Sequence, residues 1–275
     1  MDTANSSGQS QADLLVAVQK RKQANFRMGV GATWGILLLI LIFLFSGKSI
    51  GSYQTIQLNT EFMRNNLAFI GGGLGQTLFV SILSILLAML LALLTALGRL
   101  STFPPIFALS TFYVSLIRGT PLYLQIFFFF LALPQLGIIL SGVLAGVLAL
   151  GLNYGAYMSE TFRAALSSVG KGQREAATAL GMTPLQTMRR VILPQALRFA
   201  IPPMGNDFIS MTKDSALVSA TGFVHELMWR AQKVGRAQFN NLEALLMAAM
   251  FYWVMTLLLT FLQSRLEAYL AKGDR

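Results

Sequence analysis

Apolar runs that approach or reach the length of a membrane-crossing helix recur along almost the whole chain. A helix needs about 20 mostly apolar residues to cross the hydrocarbon core. Inside that core only elements that satisfy their own backbone polar groups are stable, which leaves helices or closed barrels. Composition agrees: 55% of the 275 residues are hydrophobic and 12% are charged. Soluble domains carry about 25% charged residues, so the polar surface here is too small to wrap a globule of this size. A soluble enzyme is thereby excluded. With no cysteine and one histidine, His225, the chain has no disulfide framework, no thiolate metal site and no Ser/His relay. The net charge of +10 is not read as a nucleic-acid footprint, because basic residues beside apolar spans mark cytoplasmic loops.

The expected fold is all-α, a polytopic membrane helical bundle of about six transmembrane helices. The first is Val30 to Phe45, preceded by Lys20, Arg21, Lys22 and Arg27 and read as an uncleaved helix. The second is Ile70 to Leu97. The stretch Ile106 to Ile117 is too short to span and is expected to lie in the interface. The third span is Pro121 to Leu133, the fourth Ile138 to Met158, the fifth Ala196 to Thr221 and the sixth Leu242 to Leu262. Six spans put both termini on one side. With that side inside, 15 of the 21 basic residues fall in cytoplasmic segments, 5 fall outside and Lys213 sits within a span. The charge bias therefore favours cytoplasmic termini. Residues 1–12 are polar, and their composition predicts disorder. Gly142, Gly146, Gly151 and Gly155 include two G-x-x-x-G pairs, read as close packing inside the bundle rather than as a dimer seam.

Residues 161–198 form the most informative segment. Gly172 to Leu180 has good helix formers after a glycine, and Gly181 sits where a terminating left-handed glycine belongs. Thr183, Pro184 and Gln186 then form a capping-box start, and the second helix is expected to stop at Pro194. A loop that merely connects two spans needs no pair of capped helices, so a docking partner is expected.

Here the residues carry a resemblance. Gly172-Gln173-x-Glu175-Ala176-Ala177-x-x-x-Gly181, followed by Ile192-Leu193-Pro194-Gln195-Ala196, resembles the EAA loop of ABC importer permeases, in the variant of the polar amino acid uptake family. Three further stretches agree: Arg118-Gly119-Thr120-Pro121-Leu122 with Gln125; Asn153-x-Gly155-Ala156-Tyr157-x-x-Glu160; and Lys213-Asp214-Ser215-Ala216-Leu217 with Glu226 downstream. The similarity runs from about Gly71 to Leu266. It implies a permease domain 70–266 with its EAA loop at 168–195, while the apolar and charge pattern outside the match gives a cytoplasmic polar segment 1–29, an extra N-terminal helix with its external loop 30–69 and a cytoplasmic tail 267–275. It also implies half of a type I importer in a bacterial inner membrane. Its partners would be two copies of an ABC ATPase, a second permease (the same chain or a homologue) and an external amino acid-binding protein. Membrane lipid and the amino acid substrate complete the set; no nucleic acid is expected. The chain would hold no cofactor and perform no catalysis, with ATP and Mg on the ATPase. No G-x-x-x-x-G-K-[ST] occurs in it, so any ATP site must lie on another chain.

Site residues follow from the same match. Gly172, Glu175, Ala176, Ala177 and Gly181 resemble the ATPase-docking helix, with Glu175 able to pair with a partner arginine. The bland alternative is a solvated helix whose Glu175 complements its own N-terminus. Asp207, Lys213 and Asp214 are ionisable groups at membrane depth, which mark a pathway or a buried pair. Lys213 and Asp214 can meet an amino acid zwitterion, or Lys213 can pair with a distant acid and hold the bundle together. Asn153, Tyr157 and Glu160 share one stripe of the fourth span; Asn153 and Tyr157 can line the pathway, or Asn153 can tie helices, and Glu160 is expected to pair with Arg163 or Arg118. Thr77 is a pore-facing hydroxyl or one bonded back to its own helix. Arg118 and Gln125 form a gate, or Arg118 anchors at the headgroups. His225 and Glu226 are expected in the outer loop, within reach of an external protein.

Two other function classes compete. An ion-coupled secondary amino acid transporter would also carry midplane charges, but it should show internal repeats, and none is visible. A membrane enzyme would need catalytic groups clustered at one interface, whereas the acids here are scattered.

Overall fold

The computed structural model describes residues 3–50 and 53–270. The chain divides into two compact units, residues 1–60 and 61–275. In the first, helix α1 runs unbroken from Thr3 to Leu44. It begins where composition predicted disorder, so that expectation is corrected for the residues from Thr3 on. The stretch Val16–Leu44 is long and apolar enough to cross a membrane, and every side chain along it is exposed. Gly47, at φ 71°, makes the left-handed turn into a short hairpin of β1 (Ser49–Ile50) and β2 (Tyr53–Gln54).

The second unit holds α2 (Thr60–Gly71), α3 (Leu74–Gly98), α4 (Pro104–Arg118), α5 (Leu122–Leu131), α6 (Gly142–Ser168), α7 (Lys171–Ala179), α8 (Pro184–Thr187), α9 (Leu193–Asp214), α10 (Leu227–Ala237) and α11 (Asn241–Leu270). Across the described residues, four helical segments have the length and apolarity of a span: Val16–Leu44, Thr60–Gly98, Gly142–Ser168 and Asn241–Leu270. A fifth arises if α4 and the helix beginning at Leu122 count as one broken span, bent by 104° at residues 119–121. The stretch read as interfacial is therefore one arm of that corner. Pro121 has extended backbone and cannot continue α4, and it starts the second arm at a new angle. Helix α9 has 22 residues, yet Pro202, Pro203, Asn206, Asp207, Lys213 and Asp214 keep it below span-like apolarity. Its C-terminal end tightens into a 3-10 turn, Ser215–Thr221. The expected tail, 267–275, is described only to Leu270, as the end of α11.

Helix α6 is the axis of this unit. It packs on α3, α9, α5 and α4, and its residues Ala145, Ala149, Leu150, Ala156, Met158 and Leu166 are buried. The glycine stripe makes this proximity possible. A β-carbon on Gly146 would lie 2.6 Å from Val218 Cγ1, one on Gly151 2.6 Å from Leu87 Cδ2, and one on Gly155 2.9 Å from both Leu91 Cβ and the Tyr113 hydroxyl. The stripe is packed within the chain, as its spacing suggested. A smaller apolar cluster joins α2, α10 and α11 through Phe62, Ile70, Leu227, Ala231, Ala244, Met247 and Ala248.

Candidate functional site

Three arrangements stand out in the second unit. The first is the segment between α6 and α9. Helix α7 ends in a Schellman motif: Gly181 N–H donates to Thr178 O at 2.9 Å, and Met182 N–H donates to Ala177 O at 3.1 Å. Gly181 takes φ 73°, a conformation that costs a side-chain-bearing residue about 1–2 kcal/mol. The capping box of α8 is complete, with Gln186 N–H donating to Thr183 Oγ1 at 3.3 Å and Thr183 N–H donating to Gln186 Oε1 at 2.9 Å. The expected stop at Pro194 does not occur. A five-residue π turn, Met188–Ile192, carries α8 into α9. Its wider hydrogen-bond register accommodates a proline, which has no N–H to offer. Gly172, Glu175, Ala176 and Gly181 are exposed, while Ala177 is buried against the chain. Beside Gly181 two leucines missed by the sequence reading, Leu180 and Leu185, are 78% and 77% exposed. Their signal was available: two leucines flanking a capped turn, with no apolar periodicity to place them inside.

The second arrangement ties the α4–α5 corner to α6. Gln125, buried, donates through Nε2 to Ile117 O at 2.7 Å, to Thr120 O at 3.0 Å and to Thr120 Oγ1 at 2.8 Å. Its Oε1 accepts from Asn153 Nδ2 at 3.0 Å. One turn along α6, Tyr157 is 46% exposed and lies beneath the Arg118 guanidinium, 5.1 Å from its centroid. Arg118 also pairs with Glu160 at 3.2 Å. Glu160 collects two more arginines, Arg163 at 3.0 Å and Arg99, which closes against its Oε1. Arg99 was not foreseen; it is 61 residues away in sequence. The stripe Asn153–Tyr157–Glu160 is thus brought together with Arg118 and Gln125. On α9, Asp214 is half-buried and accepts from Tyr154 Oη at 2.7 Å. Lys213 is exposed, with no acid at ion-pair distance among the described residues. Asp207 lies two turns before Asp214 and is half-buried.

The third arrangement centres on Glu226, which does not face an external protein. It is fully buried at the start of α10. Its carboxylate accepts from Tyr252 Oη on α11 at 2.6 Å, from its own helix at Trp229 N–H at 2.7 Å, and from Thr77 Oγ1 on α3 at 3.4 Å. Thr77, also fully buried, accepts in turn from Leu227 N–H at 3.3 Å. Thr77 therefore lies in this clamp. Gly73 lets α10 approach: a β-carbon there would stand 2.6 Å from Leu227 Cα and N. Among the described residues, no group of three or more His, Asp or Glu side chains is placed to hold a metal ion.

The structure is an α-helical bundle built around one glycine-lined helix, with a capped helix pair between α6 and α9. Comparison with known proteins assigns it a family. Residues 88–272 match the family described as "Binding-protein-dependent transport system inner membrane component", and the chain belongs to that family. It is 43% identical to the L-cystine transport system permease protein TcyB of Bacillus subtilis, over 74% of this chain and 88% of that one. It is 39% identical to the arginine transport system permease protein ArtQ of the same organism, over 76% and 95%. A crystal structure of an amino acid ABC transporter with histidines superposes with a TM-score of 0.71 at 36% identity, covering 78% of this chain and 100% of that one. An inward-facing MetNI methionine ABC transporter shares the fold, with a TM-score of 0.61 at 19% identity. The chain is a multi-pass membrane protein of this transport family.

Proposed function

We propose that this chain is the permease subunit of an ATP-driven importer for polar amino acids, forming half of the translocation pathway. Two ABC ATPase subunits would hold ATP and Mg and dock on α7 through Gly172, Glu175, Ala176 and Gly181. Ala177 would seat the helix on its own chain, and Leu180 and Leu185 would fill apolar sockets on the ATPase. The observation that carries this reading is the α7–α8 knob: two leucines fully displayed to solvent on a turn that both helices cap. A rigid knob transmits ATPase closure as rigid-body movement of the helices behind it.

The pathway would be lined by Asp214 and Lys213, with Asn153, Tyr157, Asp207 and Thr77 in support, the last through the clamp on α10. Arg118 and Gln125 would act at the α4–α5 corner as the gate, because both hold its two arms to α6. The second permease would be another copy or a homologue, and an external binding protein would deliver the amino acid. The charge bias supports cytoplasmic termini in a bacterial inner membrane, with six spans if α9 crosses. The same bias supports residues 1–29 and 267–275 as cytoplasmic segments, apolarity supports 30–69 as an added helix with its external loop, and the resemblance from about Gly71 to Leu266 supports 70–266 as the permease domain. Uptake into vesicles tests the reading: inactivating the ATPase should abolish it, and an ionophore that collapses ion gradients should leave it intact. Uptake that follows the ion gradient and ignores the ATPase would restore the ion-coupled alternative.

A further inference from the structure

Helix α10 carries a face that the clamp does not use. Trp229 and Lys233, four residues apart, lie on one side of the helix, and His225, just before its start, stacks onto the same side. The His225 ring stacks on Trp229 with centroids 3.8 Å apart, and Lys233 Nζ stands 4.8 Å from the Trp229 ring centre. This face borders a cavity of about 740 Å³, large enough for a small polar ligand. Its lining includes Tyr123, Ser219, Trp229, Gln232, Lys233 and Arg236. One wall of it, Ala216 to Ala220, follows directly on the Lys213–Asp214 pair.

The cations of the second unit differ in how they are compensated. Arg99, Arg118 and Arg163 all converge on Glu160, and Arg230 donates to Phe69 O and His225 O. Lys233 and Arg236 are exposed and have no acid at ion-pair distance among the described residues. The carboxylate adjacent in sequence, Glu226, is turned inward to Tyr252 and Thr77. Two cations one turn apart, uncompensated and bordering a cavity, favour an anionic group inside it. Packing against Trp229 limits the positions that Lys233 samples and lowers the cost of ordering it around a ligand.

We propose that this cavity is a receiving site for the carboxylate of an amino acid, with Lys233 and Arg236 as its cationic contacts. The inference rests on the importer reading and adds to it a place where the substrate is held against α10 and the 3-10 turn that follows Asp214 in sequence. A volume of about 740 Å³ suits a small ligand, and Lys233, packed on Trp229 at its border, suits that ligand's carboxylate.

The test uses the purified permease–ATPase complex without any binding protein. Equilibrium binding of L-cystine, L-arginine and L-glutamine is measured alongside the methyl esters of the same compounds. At least one free acid should bind, and the Lys233→Gln/Arg236→Gln variant should weaken it about tenfold, the loss expected for a charge-assisted contact. The ester should bind wild type and variant equally, and Lys233→Arg should retain most of the affinity. Equal binding of the free acid to wild type and variant, or no binding of any of the three, overturns the proposal. In a separate pull-down with an external binding protein added, loss of that association by the variant at unchanged amino acid affinity also overturns it and makes the face a protein dock. ATP-driven uptake of the three amino acids by wild-type vesicles is measured in parallel, so failure of the importer reading is seen separately.

Discussion

Removing the Glu226 carboxylate should loosen α10 from both helices it is bonded to. In Glu226→Ala, the Tyr252 hydroxyl loses its acceptor at 2.6 Å and the Trp229 N–H loses its side-chain cap at 2.7 Å, while the Thr77 contact at 3.4 Å is long and adds little. Hydrogen bonds between helices in membrane proteins average about 0.6 kcal/mol and reach about 1.7, and the short Tyr252 contact belongs near the top. Loss of a helix cap costs about 0.5–2 kcal/mol. The two together give about 2–3 kcal/mol for alanine. Glu226→Gln keeps one carbonyl acceptor and should cost about 1 kcal/mol. Thermal unfolding of the detergent-purified complex, followed by size-exclusion fluorescence, reads both variants. A double-mutant cycle with Tyr252→Phe should return a coupling of about 1–1.7 kcal/mol, because the two groups share one bond. Glu226→Ala melting with the wild type, or strict additivity with Tyr252→Phe, would refute the clamp.

Three other substitutions probe the packing and the pathway. Gly155→Leu forces a side chain into space held by Leu91 and the Tyr113 hydroxyl and should destabilise the complex by about 1–3 kcal/mol, whereas Gly75→Ala, with nothing within 4 Å of its β-carbon, should be neutral or slightly stabilising in the same melting assay. Asp214→Asn keeps the hydrogen bond to Tyr154 and removes the charge; substrate-dependent uptake should fall far more than the amount of assembled complex, and unchanged uptake kinetics would remove Asp214 from the pathway.

Local signals were legible wherever a few neighbouring residues decide the conformation. Gly181 in the left-handed region, the Thr183–Gln186 box and the inward glycine stripe all follow from short-range chemistry, and each was visible in the residue order. Pro194 misled because proline's cost was judged for a regular α-helix, and a π turn supplies the spare register that the ring needs. Glu226 misled for a different reason. Its neighbours Thr221, Gly222 and His225 read as a polar loop, and only the approach of Thr77 and Tyr252, far away in sequence, makes the position an interior one. The three-arginine cluster on Glu160 was half visible, since Arg163 and Arg118 were foreseen as partners and Arg99 was not. The corner at residues 119–121 was marked by Pro121, but its 104° angle and the Gln125–Asn153 bond from its second arm to α6 involve residues far apart in sequence.

The central claim is that α7 couples this permease to a separate ATPase. Affinity purification of the wild-type chain and of Glu175→Lys from the native membrane, with quantification of the accompanying proteins, tests it most directly. The wild type should bring down a P-loop ATPase at near-equal stoichiometry to the permease chains. The variant should insert normally and lose that ATPase, because a reversed charge on the exposed face of α7 would repel the ATPase arginine proposed to pair with Glu175. A wild-type chain that purifies alone across several mild detergents, or a variant that keeps its full complement of ATPase, would contradict the account.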